Sequence, residues 1–82
     1  MILVDIYVPI IDKSFDFRVN ENADVSNLIE EIGEIIAQKE GFKAIESFDN
    51  LFLFDSTKNQ LIDSNLTLRA LGIEAGAQLV LI

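Results

Sequence analysis

The 82-residue sequence has no cysteine and no histidine, one proline, and only 6 basic residues against 14 acidic ones. Without cysteine there can be no disulfide and no thiolate metal ligand. Without histidine there is no imidazole ligand and no imidazole acid–base chemistry. The formal charge of −8 sets the chain against nucleic acid and anionic lipid, both of which it should repel. The same excess charge favours solubility. Long apolar runs are missing as well. Stretches such as Val8 to Ile11 are far too short to span a bilayer. The apolar opening is interrupted by Asp5 and preceded by no basic segment, so it does not read as a signal peptide. The expected location is cytoplasmic. No repeats, linkers or low-complexity tracts occur, and residues 1–82 read as one domain with one core, near the lower size limit for unaided folding.

What the chain does have is apolar content, 50% of its residues, which argues against disorder. The clearest pattern runs from Asp24 to Gly41. Val25, Leu28, Ile29, Ile32, Ile35 and Ile36 recur at helical spacing, while Glu30, Glu31, Glu34, Gln38 and Lys39 take the opposite side. Asp24 is suited to cap the first turn and Gly41 to end the helix in a left-handed conformation. Gly33 inside it costs about 1 kcal/mol relative to alanine. This is the one long helix, and its apolar stripe requires a covering layer.

Strands supply that layer. Residues 2–8 alternate, with Ile2, Val4, Ile6 and Val8 on one side and Leu3, Asp5 and Tyr7 on the other. Pro9 ends the strand. Asp12, Lys13 and Ser14 are expected to turn the chain into a second strand in which Phe15, Phe17 and Val19 point inward and Asp16 and Arg18 outward. The two form an antiparallel hairpin with a loop of about six residues. Phe42, Ile45 and Phe48 are expected to dip into the edge of the core. Leu51 to Phe54 is a third strand whose unbroken apolar run means either two covered faces or one exposed patch. Residues 55–59 make a turn, and Gln60 to Asp63 a short fourth strand. Asn65 to Leu71 is a helical turn anchored by Leu66, Leu68 and Leu71. Gly72 and Gly76 punctuate a loop. The last run, AQLVLI, is a fifth strand, aliphatic enough to be central. The order is ββαββ, a short helical turn, and β: an α+β fold with one mixed sheet packed on a single long helix.

Chemistry-bearing constellations are sparse. Glu30 and Glu34 share a helix face that reads as solvated. The DSTKN segment at 55–59 lacks the alternating ligands, mid-loop glycine and terminal glutamate of a calcium loop. Gly72 and Gly76 do not make a dinucleotide fingerprint. No catalytic, cofactor or metal-ligating residue is assigned, and an enzyme is not expected.

The segments QKEG at 38–41, LFLF at 51–54, QLID at 60–63 and TLRALGIEAGAQLVLI at 67–82, in this element order, resemble the ubiquitin-like proteins over nearly the whole chain. Within that superfamily the opening ILVDIYVP, the hairpin strand FDFRV and the hydrophobic C-terminus are most similar to the small bacterial YukD/EsaB-type proteins. The resemblance implies a β-grasp fold and a cytosolic accessory role in type VII (WXG100) secretion, exercised through protein contacts. Conjugation or sulfur carriage demands a terminal diglycine. The chain shows LVLI instead, so neither role is expected. The resemblance also makes the third and fifth strands neighbours. With Leu51, Leu53, Leu79 and Leu81 turned to the helix, Phe52, Phe54, Val80 and Ile82 adjoin on the open face, extended by Tyr7 and Leu3. These residues form the candidate protein-binding surface, for a secretion component or alternatively for a second copy of the chain.

Overall fold

The computed structural model describes residues 1–40 and 51–82. Among these residues five strands and one long helix follow in the order β1 (Ile2–Val8), β2 (Lys13–Val19), α1 (Val25–Glu40), β3 (Leu53–Asp55), β4 (Gln60–Leu61) and β5 (Gln78–Leu81). They make a single mixed sheet with strand order β2-β1-β5-β3-β4. β1 pairs antiparallel with β2 and parallel with β5. β3 pairs antiparallel with both β5 and β4. The aliphatic fifth strand is therefore central, with β1 on one edge and β3 on the other.

Alternation divides the sheet into two faces. Val4, Ile6, Val8, Val19, Leu53, Leu79 and Leu81 are buried together with Val25, Leu28, Ile29, Ile32 and Ile36 of the helix in one core. Ile35, expected in that stripe, is 43% exposed. At 100° per residue it falls at the edge of the stripe, where it borders a small hollow with Phe17, Arg18 and Glu31.

Several boundaries differ from the sequence expectation. The hairpin connection is shorter than six residues, because Lys13 and Ser14 join the ladder opposite Val8 and Tyr7. A single 3₁₀ turn, Pro9–Ile11, and a left-handed Asp12 (φ 51°) complete the reversal. β3 begins at Leu53, although Phe52 and Ile82 exchange two backbone hydrogen bonds (2.6 and 2.9 Å) just beyond the formal ladder. Residues 65–71 form turns and not a regular helix. Thr67 closes them, its carbonyl accepting the Leu71 N–H at 3.2 Å and its hydroxyl the Ala70 N–H at 3.1 Å. Leu68 is buried there, while Leu66 is exposed and anchors nothing.

The helix start is also held differently. The N–H groups of Val25 and Ser26 donate to the carbonyls of Leu66 (2.9 Å) and Ser64 (3.0 Å). Among the described residues the Asp24 carboxylate accepts none of these donors. Its backbone carbonyl takes the Asn27 and Leu28 N–H groups instead. The loop before β5 thus satisfies part of the helix terminus that a side chain was expected to cap. Gly41, Phe42, Ile45 and Phe48 lie outside the described residues.

Candidate functional site: the outer sheet face

The helix covers one face of the sheet, and the residues between the core positions point the other way. Register assembles them into a line. Tyr7 on β1 is opposite Val80 on β5, Val80 is opposite Phe54 on β3, and Phe54 is opposite Leu61 on β4. These four side chains cross four adjacent strands at one level of the pleat. Neighbouring strands lie about 4.8 Å apart, so the line spans roughly 14 Å. Beside it, the backbone pair Phe52–Ile82 places two more apolar side chains on the same face, 51% and 53% exposed. Leu61 is 60% and Tyr7 37% exposed, whereas Val80 and Phe54 are half-buried at the middle of the line.

Each residue assigned from the sequence is where alternation puts it: Tyr7, Phe52, Phe54, Val80 and Ile82 all lie on the outer face, and Leu53, Leu79 and Leu81 on the inner. Leu3, 47% exposed, stands further down β1, opposite Arg18. The sequence reading missed Leu61. Its signal was the QL pair before the buried Ile62, which needs the β3–β4 register before it can be placed on a face.

The polar surroundings of this line are specific. The Tyr7 hydroxyl donates to Asp12 Oδ1 at 2.6 Å. That hydrogen bond, aided by slight desolvation and by the carboxylate charge, raises the phenol above its ordinary value. At the other end, the buried Asp55 turns inward from β3. Its carboxylate accepts the backbone N–H groups of Thr57 (2.9 Å) and Lys58 (3.2 Å), fixing the turn that delivers Leu61 beside Phe54. Apart from the Tyr7 phenol held by Asp12, the line is hydrocarbon, and what such an arrangement offers is contact area.

No protein-family model matches the sequence, and no curated protein matches it. Solved structures are. An N-terminal ubiquitin-like domain determined in solution is 18% identical, with a TM-score of 0.72 over 99% of this chain and 72% of its own. A ubiquitin-like domain of an Arabidopsis thaliana protein is 23% identical, with a TM-score of 0.71 over 99% of this chain and 74% of its own. A designed protein based on the template of human erythrocytic ubiquitin is 27% identical, with a TM-score of 0.71 over 100% of this chain and 90% of its own. The mixed five-stranded sheet on one helix is thus the ubiquitin-like β-grasp fold.

Proposed function

We propose that the chain is a non-catalytic, ubiquitin-like adaptor that binds a protein partner non-covalently through its outer sheet face. The observation that carries this reading is the register-aligned row Tyr7–Val80–Phe54–Leu61, flanked by Phe52 and Ile82. Apolar side chains aligned across four strands, on a face that the helix does not cover, supply a ready surface for a partner.

The partner we infer is a component of a type VII (WXG100) secretion system, with the chain acting on the cytoplasmic side. This finer assignment rests on the sequence resemblance to YukD/EsaB-type proteins and is compatible with the fold. It is tested in the source organism by deleting the gene and measuring export of WXG100 substrates, with complementation by wild type and by Phe52→Asp. Loss of export restored only by wild type supports the reading. Unchanged export overturns the secretion assignment.

The surface itself is tested by pull-down of the secretion ATPase and its soluble partners with Phe52→Asp and Val80→Asp. Both variants should lose binding. Phe52→Asp should stay within about 1 kcal/mol of wild-type stability, as a surface change does. Sedimentation at rising concentration tests the alternative occupant, a second copy: a dimer abolished by Phe52→Asp would replace the hetero-partner reading.

A further inference from the structure

On the same face as the apolar row, Asp5 and Asp16 stand directly opposite each other across the β1–β2 ladder. Like charges at directly opposed cross-strand positions destabilise a sheet. Asp5 is half-buried and sits two residues from Tyr7 on the same strand, beside Gln78 of β5. Asp12 adds a third carboxylate at the hydroxyl of Tyr7. Set against these on the outer face of β1 and β2 is one cation, Arg18, opposite Leu3.

The other described basic residues are placed elsewhere. Lys13 is paired with Glu40 at 2.6 Å. Lys39 lies over the Phe15 ring, 5.8 Å from its centroid. Lys58 Nζ donates to the Leu71 carbonyl at 3.3 Å. Arg69 sits in the turn segment, its backbone N–H bonded to the Glu21 carbonyl at 3.0 Å. The sheet therefore keeps an unfavourable charge pair next to its exposed apolar row. Among the described residues Arg18 is the one basic side chain beside these carboxylates, and such a surplus of negative charge next to an apolar row is complementary to a partner that brings positive charge.

We propose that the outer face receives a cationic amphipathic segment of its partner. Apolar side chains of the segment seat on Val80 and Phe54, and its Lys or Arg side chains reach Asp5 and Asp16. The geometry suits this. Asp5 is one strand over and two residues along from Val80, about 8 Å away by ordinary sheet spacings. That offset is within reach of a long basic side chain whose apolar neighbour is anchored in the row. An anionic segment would meet the same carboxylates and be repelled. The inference deepens the outer-face reading above and rests on it.

The experiment is an NMR titration of the ¹⁵N-labelled protein with three synthetic peptides of equal length. One alternates leucine and lysine, one leucine and glutamate, and one serine and lysine. The leucine–lysine peptide is expected to shift the amides of Tyr7, Phe54 and Val80 and to bind at least about tenfold tighter than either other peptide. Asp5→Asn with Asp16→Asn should remove about tenfold of that affinity. Glu30→Gln with Glu34→Gln, which removes equal charge from the exposed side of the helix, should remove much less. Equal losses from the two double variants would reduce the effect to net charge and overturn the proposal. So would equal binding of the leucine–glutamate peptide at the row, although the outer-face reading would then survive. If no peptide shifts the row amides, the outer-face reading fails with it. Added salt on the wild-type protein gives a second readout independent of any variant: the leucine–lysine complex should weaken and the leucine–glutamate complex should not.

Discussion

The Tyr7 hydroxyl donates to Asp12 Oδ1 at 2.6 Å, tying the last turn of β1's outer face to the left-handed residue that reverses the chain. Tyr7 is the sole tyrosine, so tyrosinate absorbance reports this one group. Its titration should lie above the ordinary phenol range, and Asp12→Asn should bring it back down by weakening the hydrogen bond and removing the carboxylate charge. The sign follows from linkage: a pKa raised by folding gives stability that is complete below the unfolded phenol's pKa. That contribution is lost as pH rises through the folded value. A midpoint unchanged by Asp12→Asn would show that the bond does not persist in solution.

The centre of the core and the edge of the helix stripe should respond very differently to truncation. Leu79 is 1% exposed on the central strand, and Leu79→Ala should cost about 2–5 kcal/mol in denaturant unfolding. Ile35 is 43% exposed, and Ile35→Ala should stay within about 0.5–1 kcal/mol of wild type. Equal costs would mean that Ile35 belongs to the packed stripe after all.

Gly76 has φ +88°, and an added Cβ would meet nothing within 4 Å, so conformation and not space makes glycine necessary. Its N–H donates to the Leu3 carbonyl at 2.7 Å, which holds the entry to β5 against β1. Gly76→Ala should lower stability by about 1–2 kcal/mol, and Gly76→Asn by less, since asparagine tolerates the left-handed region better. Thermal unfolding of both variants checks the order.

Asp55 is 4% exposed and carries the β3–β4 turn on two backbone hydrogen bonds. Asp55→Ala leaves both donors without that acceptor and should cost about 1–3 kcal/mol, while Asp55→Asn keeps one carbonyl and should cost less. Because the turn sets Phe54 opposite Leu61, Asp55→Ala should also disturb the Leu61 methyl resonances. A silent spectrum would separate the turn from the outer row.

Much of the architecture was legible because it rests on period. Spacing alone marks α1 from Val25, Leu28, Ile29, Ile32 and Ile36, and alternation alone sends Phe52, Phe54 and Val80 to one face and Leu53, Leu79 and Leu81 to the other. Local chemistry was read less well where distant backbone competes with side chains. Asp24 looked like the cap of the helix, yet the carbonyls of Leu66 and Ser64 take the first N–H groups, a contact across some forty residues that no local pattern encodes. Likewise Lys13 and Ser14 read as turn residues, but pairing with Val8 and Tyr7 outweighs their polar character.

Side-chain pattern by itself determined which residues are inside, which are outside and that one helix must lie on one sheet, since burial follows from the two periods of the backbone. Only the tertiary structure decided who is beside whom on the outside. The row Tyr7–Val80–Phe54–Leu61 and the opposed pair Asp5–Asp16 both come from strand register. Register is settled by burying the inner face, with hydrogen bonds and turns far apart in the chain, so the outer neighbours follow from contacts that the outer residues do not themselves make.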